Sequence, residues 1–173
     1  MADVTEAGPS SSTPRSGVWA RYLGVSLVRA TPQEVAADPA LLRGLTDGWD
    51  RSAEPVLPDA PARAEWYRIR ERGADVGVAI VLRGCLEPDE GTLLAVSVAR
   101  EARGRACATK ALLATERRLI AEGARRMLVR VPRTNGRGFY FTLRAGFTPV
   151  PSHERPDDPG DATWFSRKPP RGE

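Results

Sequence analysis

The sequence predicts a single α/β domain built on a mixed central β-sheet that is flanked by helices. The chain has 173 residues, a length that usually forms one domain. Apolar residues make up 41% of the chain, which is enough for a core at this size. Strand-like and helix-like segments follow one another in the order β-α-β-β-β-α-β-α-β-β. The consecutive hairpins in the middle of this order favour a mixed sheet over a purely parallel one.

The two ends of the chain differ in composition from the middle. Residues 1–17 are polar and rich in Ser, Pro and Gly, so we expect a disordered leader and not a signal peptide. Residues 168–173 are rich in Pro and Arg, and we expect a flexible tail. The predicted domain therefore spans residues 24–167. Since no apolar stretch approaches the roughly 20 residues that cross a bilayer, we expect no membrane partner and a cytoplasmic location.

The sequence of the first half of the domain predicts one helix among several strands. A helix begins after Thr31, because Thr caps helices, Pro32 suits the first position and the carboxylate of Glu34 follows three residues on. This helix is predicted to run toward Leu45. Residues 46–63 are polar and contain three prolines, which indicates a loop. Alternating or continuous apolar segments predict the strands 25–28, 65–72, 76–82 and 93–98.

After residue 98 the apolar pattern changes from strand to helical spacing. Ala108, Leu112, Thr115 and Leu119 fall on one helical face, and Gly123 is a suitable residue to end that helix. A strand over 127–131, a short helix over 135–145, and strands over 147–150 and 163–166 complete the predicted domain.

The charged and metal-binding residues restrict the possible functions. The chain has 26 basic and 22 acidic residues, and nearly all of the basic ones are Arg. This positive excess suits an anionic ligand or nucleic acid. The arginines are scattered, however, and no nucleic-acid motif is present, so nucleic acid is an unfavoured partner. With two cysteines and one histidine, we expect neither a disulfide scaffold nor a metal site.

The segment after strand 93–98 carries the strongest chemical signal. The strand leads into a loop of small and basic residues, and this loop opens a helix. Free amides at a helix N-terminus bind anions, and the small residues Gly104 and Ala106 let a phosphate approach the backbone. Arg103 and Arg105 add positive charge. These features predict a pyrophosphate ligand, although an ordinary strand-to-helix turn with a basic edge would have the same composition. The loop matches neither a P-loop nor a dinucleotide fingerprint.

A second segment lies about 30 residues further along the chain. In it, Asn135 is followed by Phe141 and then by Gly146 and Phe147. The two segments, in this order, resemble the acyl-CoA loop and the later motif of the GNAT family of N-acetyltransferases. The family loop reads Gln/Arg-x-x-Gly-x-Gly/Ala, which residues 103–108 match except at one position. The predicted order of elements also resembles the GNAT fold.

The resemblance implies an acetyl-CoA-dependent N-acetyltransferase. In such an enzyme a primary amine attacks the thioester directly in a ternary complex, and an amide near a strand bulge stabilises the developing oxyanion. The strand backbone would hold the pantetheine, the loop amides would hold the pyrophosphate, and the Asn would touch the pantetheine arm. The residues of this chain that match those positions are Val96, Val98, Arg103, Gly104, Arg105, Ala106, Ala108, Thr109 and Asn135.

The chain departs from the family pattern at two positions. Ala106 replaces a Gly, and an Ala is strained if the backbone there has a positive φ. Thr142 stands where the family commonly has its acidic Tyr, while Tyr140 lies two residues earlier, roughly 200° away around a helix. His153 is a candidate general base because of its pKa. An amine can also lose its proton to water, so no base is obligatory. Further candidates are Glu65, Glu90 and Glu101.

The acceptor is predicted from the loop after the first helix. Asp47, Asp50 and Glu54 could bind a cationic amine on which Trp49 stacks, which favours a small-molecule amine. An acetyltransferase of protein N-termini or lysines is the nearest alternative. A non-catalytic acyl-CoA-binding module is the second, because both departures from the pattern favour it. The resemblance also leaves a homodimer open.

Overall fold

One mixed sheet of eight strands runs through the residues that the computed structural model describes, which are 17–47, 53–158 and 160–168. The predicted leader up to residue 16, the tail after Lys168, and Trp49 and Asp50 lie outside these residues. The strands are β1 (Val18–Tyr22), β2 (Val25–Ala30), β3 (Glu65–Glu71), β4 (Ala74–Arg83), β5 (Glu90–Val98), β6 (Arg126–Pro132), β7 (Thr148–Pro149) and β8 (Ala162–Arg167).

Four α-helices and two short 3-10 turns connect the strands in the described part of the chain. The helices are α1 (Pro32–Ala36), α2 (Pro39–Thr46), α3 (Cys107–Ala121) and α4 (Gly136–Arg144), and the turns are Arg100–Ala102 and Ser152–Glu154. None of the described helices combines the length and the apolar character that a bilayer span requires.

The sheet order is β1-β2-β3-β4-β5-β6-β8-β7. The β5–β6 pair is parallel, with α3 as the crossover between the two strands, and the other neighbouring pairs are antiparallel. A parallel pair needs a crossover of a dozen or more residues, which is why a 15-residue helix stands at this point. The predicted mixed sheet flanked by helices is confirmed.

Apolar clusters cover both faces of the sheet, and the two larger ones each include part of β3. Successive residues of a strand point to opposite faces, and on β3 this places Tyr67 in one cluster and Trp66 in the other. The Tyr67 cluster includes Leu112 of α3, and the Trp66 cluster includes Leu41 and Leu45 of α2. The helices thus sandwich the sheet, with α3 on one face and α2 on the other.

The predicted helix from Thr31 toward Leu45 is two helices in the structure. Thr31 caps α1 with a complete capping box, as its composition indicated. The chain then leaves the helical path at Asp38, whose carboxylate accepts hydrogen bonds from the Ala40 and Leu41 amides and caps α2. Pro39 follows in the first turn, and a proline cannot continue a helix because it lacks the N–H. The prediction of one helix was wrong because this second cap was not recognised.

Candidate active site

A cleft opens where β5 and β6 separate in the middle of the sheet. The two strands pair from Glu90 opposite Arg126 as far as Leu93 opposite Val129, and beyond these residues they have no common register. The space between them is a cavity of about 300 Å³. It is lined by the rest of β5, by residues 129–132 of β6 and by parts of α2, α3 and α4.

A β-bulge lies on β5 at the apex of the cleft. Against β4, Ala95 pairs with Ile80 and Leu93 pairs with Val81, so that Leu94 is an extra residue without a partner. Bulges bend a strand and leave one residue outside the hydrogen-bond ladder. The edge of β5 beyond the bulge faces the cleft instead of β6, and its backbone groups on that edge are available to a ligand.

The loop that connects β5 to α3 contains two residues in the left-handed conformation. Gly104 has a φ of 83° and Ala106 a φ of 58°, and α3 begins directly after Ala106. Ala106 supplies no side-chain cap, so the first amides of α3 keep their hydrogen-bonding capacity. Ala108 lines the cleft within this first turn. Of the two conformations considered for Ala106, the structure has the strained one.

A buried glutamate anchors this loop to the sheet. The Glu71 carboxylate, at the end of β3, lies 3.4 Å from Nε of Arg105 and 3.5 Å from Nζ of Lys110. Burial, together with Glu71, raises the pKa of the Cys107 thiol, which therefore stays protonated at neutral pH. Burial alone would raise the pKa of Glu71, but its contact with the Cys107 thiol and the positive charges of Arg105 and Lys110 keep that pKa below its usual value.

Arg103 ties the same loop to α2. Its Nη2 donates to Oδ2 of Asp47 at 2.8 Å, and its Nε donates to the Val98 carbonyl at 3.3 Å. All three residues line the cleft, and Val96 does so as well. The predicted acceptor residue Asp47 is therefore present at the cleft, but its charge is paired with Arg103. Glu54 is exposed and does not line the cleft.

Two predicted residues on the β6–α4 side also line the cleft. Asn135 caps α4, and its Oδ1 accepts from the Gly138 amide at 2.8 Å, which leaves its Nδ2 free to donate. Thr142 is buried, and its hydroxyl donates to the Gly138 carbonyl at 2.8 Å. Phe141 lines the cleft beside them. The start of α4 thus closes this wall with its own hydrogen bonds satisfied.

Tyr140 and His153 lie outside the cleft lining. The Tyr140 side chain is 72% exposed on the opposite side of α4 from Thr142, as the helical spacing predicts. The His153 side chain is also exposed, and its Nε2 lies 3.6 Å from a Glu154 oxygen. Neither residue is therefore in contact with the space that β5 and β6 enclose.

The three candidate glutamates are also placed away from the cleft lining. Glu65 accepts a 2.6 Å hydrogen bond from the Tyr67 hydroxyl and pairs with Arg29 and Arg83. Burial would raise the pKa of Glu65, but these donors together hold it below its usual value. Glu90 is buried with hydrogen bonds from backbone amides, and Glu101 is exposed.

Sequence reasoning missed several residues of the cleft. Ser97 lines it, and its Oγ is buried without a hydrogen-bond partner among the described residues. Arg130 also lines it and forms a two-point ion pair with Asp158, whose pKa is lowered by this contact in spite of its burial. The polar Ser97 within a strand of apolar residues was the visible signal. Among the described residues, no group of three or more metal-ligating side chains occurs.

Comparison with known proteins places this geometry in a family. The model of the acetyltransferase (GNAT) family matches residues 36–147. No curated protein sequence matches the chain. The chain is similar in structure to a probable acetyltransferase of the GNAT family from Chromobacterium violaceum, with 18% identity, 97% of each chain covered and a TM-score of 0.66.

Two further solved structures share the fold. An acetyltransferase from Thermus thermophilus has 20% identity, 86% of this chain and 99% of that chain covered, and a TM-score of 0.61. An acetyltransferase from Bacillus subtilis, solved in complex with CoA, has 14% identity, 86% and 98% covered, and a TM-score of 0.57. The resemblance found in the two sequence segments is confirmed, and the chain belongs to the GNAT family of acetyltransferases.

Proposed function

We propose that this protein is an acetyl-CoA-dependent N-acetyltransferase that acetylates a primary amine of a small molecule. The proposal rests on one observation, namely that the unpaired strand edge and the loop before α3 are consecutive in the chain. The unpaired edge of β5 leads directly to the left-handed loop that precedes the free amides of α3. A long ligand with amide groups at one end and phosphates further along matches both. The relative from Bacillus subtilis, which was solved with CoA, supports this assignment.

Acetyl-CoA would lie along this path. Its pantetheine would hydrogen-bond to β5 at Val96 and Val98, and the Asn135 Nδ2 would donate to it from the opposite wall. At Val98 the carbonyl already accepts from Arg103, so the pantetheine would use the N–H or displace that guanidinium. The pyrophosphate would accept bonds from the loop and first-turn amides of Gly104, Arg105, Ala106, Ala108 and Thr109. The Arg103 amide already donates to the Arg100 carbonyl at 3.3 Å, so Arg103 would bind only if that bond gave way.

The transfer needs only the two bound reactants and a donor for the oxyanion. The amine nitrogen attacks the thioester carbonyl carbon, a C–N bond forms, and the carbonyl oxygen takes up negative charge. The bulge at Leu94 offers backbone donors at the apex of the cleft, where that oxygen would lie. The C–S bond then breaks, CoA leaves as a thiolate, and the ammonium proton passes to water. Positioning of the reactants supplies most of the rate increase.

Thr142 is the one of the three sequence-predicted catalytic residues that lines the cleft. Its hydroxyl donates its one proton to the Gly138 carbonyl, so Thr142 has no proton to offer the leaving thiolate, and we assign it the role of fixing the start of α4 at the cleft wall. The proposed reaction takes no proton through Tyr140 or His153, because both side chains point into solvent. The thiolate is protonated by water after it leaves.

The size and lining of the cleft favour a small acceptor. On the α2 side the wall is formed largely by Leu45, Pro58 and Ala95, with the paired Asp47 at one end. The pantetheine would share this cleft of about 300 Å³, and the space left beside it would suit a small acceptor. This wall would bind the apolar part of an amine and hold its nitrogen toward the thioester.

A non-catalytic acyl-CoA-binding module is the second candidate, and one observation favours it. The cleft lining contains no imidazole, and its carboxylate, Asp47, is already paired with Arg103. Such a protein would bind acetyl-CoA with no acceptor. The amine screen described next separates it from an enzyme.

Calorimetric titration with acetyl-CoA, with CoA, ATP and NAD as controls, tests the proposal. We expect selective micromolar binding of acetyl-CoA and CoA, since ATP and NAD lack the pantetheine that the β5 edge would bind. A screen of small amines and lysine peptides, followed by release of free thiol, then identifies the acceptor class. No binding of either CoA species would refute the proposal, and binding without turnover of any amine would favour the module.

A further inference from the structure

A second cavity adjoins the cleft and is not used by the proposed reaction. Its volume is about 550 Å³, and it lies between α2, the 3-10 turn after β5 and the start of α4. Asp47, Arg103 and Arg137 line both cavities, so a ligand in the cleft can extend into this one. We name it the arginine cavity, and its charged lining residues are Arg43, Asp47, Arg100, Glu101, Arg103 and Arg137.

The charges of the arginine cavity do not cancel. Four guanidinium groups face two carboxylates, and Asp47 is already neutralised by Arg103 at 2.8 Å. The Arg43 guanidinium donates a hydrogen bond to the Ala53 carbonyl, and this uncharged acceptor does not neutralise the positive charge of Arg43. Within the described residues, Arg100 and Arg137 have no carboxylate at ion-pair distance, and both are exposed. Counted over the described residues, the lining of the cavity therefore has an excess of positive charge.

A concave site with excess positive charge attracts anions. Its walls focus the field and raise the local concentration of negatively charged ligands. Guanidinium groups also hold phosphate and carboxylate by paired, parallel hydrogen bonds, which gives geometric selectivity as well as attraction. Arg137 lines the cavity from α4 and Arg100 lines it from the turn after β5, so two different elements contribute positive charge to the same space.

We propose that the arginine cavity is a subsite for a phosphate or carboxylate group of a ligand that also occupies the cleft. The inference rests on the proposed function and adds a recognised group to it. Two sources carry this chemistry, namely the 3′-phosphate of acetyl-CoA and an acidic group on the acceptor amine. If the anion belongs to the acceptor, the acceptor has both an amine and an acidic group. This differs from the purely cationic amine that Asp47 led us to expect.

The experiment compares paired ligands on matched variants. Arg100→Gln and Arg137→Gln each remove one guanidinium from the arginine cavity. Arg144→Gln is the control, since Arg144 is exposed on the same helix as Arg137 and lines neither cavity. Calorimetry measures the affinity of each protein for acetyl-CoA and for its 3′-dephospho form. Thiol release measures KM for β-alanine against propylamine and for phosphoethanolamine against ethanolamine.

We expect Arg100→Gln and Arg137→Gln to weaken binding of the acidic member of one pair by about three- to tenfold. The other member of that pair and the Arg144→Gln protein should be unaffected. The affected pair identifies the source of the anion. Unchanged discrimination in all three pairs, while the wild-type protein still binds acetyl-CoA, would overturn this inference alone. Failure of the wild-type protein to bind acetyl-CoA would overturn it together with the proposed function.

Discussion

Ala106 shows how a single backbone angle shapes the candidate site. Its φ of 58° follows the φ of 83° at Gly104, and together they turn the chain so that α3 starts at the edge of the cleft. For a residue with a β-carbon this conformation costs about 1–2 kcal/mol. The family pattern has Gly here, so this chain keeps the turn and retains the strain.

Two exchanges test this assignment in opposite directions. Ala106→Gly relieves the strain but adds freedom to the unfolded chain worth about 0.4–1 kcal/mol, so we expect stability to rise by less than about 1 kcal/mol. Gly104→Ala should lower the free energy of unfolding by about 1 kcal/mol, since its new β-carbon meets nothing within 4 Å and the strain of the left-handed backbone exceeds the reduced freedom of the unfolded chain. Urea unfolding measures both. A Gly104→Ala protein as stable as the wild type would contradict the assignment.

At the residue scale, the resemblance to the two family motifs led to residues of the cleft. Arg103, Asn135 and Thr142 were named because they match positions of those motifs, and the structure places all three in the cleft lining. Glu71 and Arg130 were missed because their partners lie in distant segments. Glu71 meets the loop more than thirty positions along the chain, and no local pattern records such a pairing.

Among the elements, β5 is the one on which the cleft depends. It pairs with β4 along almost its whole length but with β6 over only four residues. Gly77 of β4 allows the close approach on its paired side. A β-carbon there would lie 3.1 Å from Cα of Val98 and closer still to the Ser97 carbonyl oxygen. The cleft-facing half of β5 is thus held from one side only.

Gly77→Ala should therefore destabilise the protein and disturb the cleft. The contacts are with backbone, which cannot rotate away, so we expect a loss of about 1–3 kcal/mol in the free energy of unfolding. Affinity for acetyl-CoA should fall as well, because the displaced segment is the proposed pantetheine edge. Thermal unfolding and calorimetry measure the two effects. Gly136→Ala is the control, since its β-carbon meets nothing within 4 Å and its stability should match or slightly exceed that of the wild type.

At the element scale, sequence reasoning found strands by their apolar pattern and missed those without one. β1 was not predicted, although it forms a hairpin with β2. The turn between them is Leu23-Gly24, with φ of 43° and 82°. Turns of this kind are usually marked by Asn-Gly or Asp-Gly, and a leucine in the left-handed region hides the signal. β7 has two residues where four were predicted, because Phe147 and Val150 are buried beside the strand instead of in it.

Across the whole molecule, acidic side chains join distant segments through Arg. Glu122, at the end of α3, accepts from Arg83 of β4, from Arg118 and from Trp19 of β1. Burial alone would raise the pKa of Glu122, but these donors outweigh burial and lower it. The pKa values of Glu65, Glu71 and Asp158 are lowered in the same way.

These lowered pKa values predict acid sensitivity. A carboxyl whose pKa is lower in the folded state binds protons more readily when unfolded, so its stabilising effect is present above the unfolded value near 4.5 and is lost as the pH falls through the folded value. We expect a constant free energy of unfolding at neutral pH and a steady decrease below about pH 4.5. Urea unfolding over a pH series measures it. Glu122→Gln should flatten this decrease, and an equally steep decrease in that variant would contradict the role given to Glu122.

The architecture of the whole molecule followed from the order of its elements. Consecutive hairpins before a long helix indicated a mixed sheet, and the structure has one. The neighbour relations among β6, β7 and β8 did not follow, since β8 lies between β6 and β7 although it comes last in the chain. Periodicity describes how one segment is buried, and it contains no information about which distant segment lies beside it.

Because β5 separates early from β6, the sheet has unpaired strand edges in its interior as well as at its two outer strands. Unpaired strand edges can pair with strands of other molecules, which leads to aggregation. Here the gap narrows to the bulge at Leu94 and is walled by α2 and α4, so a strand with side chains on both faces would collide with those walls. A narrow linear chain that carries its own amides would meet no such obstacle. The shape of the gap would therefore discriminate between ligands by their width before any specific hydrogen bond forms.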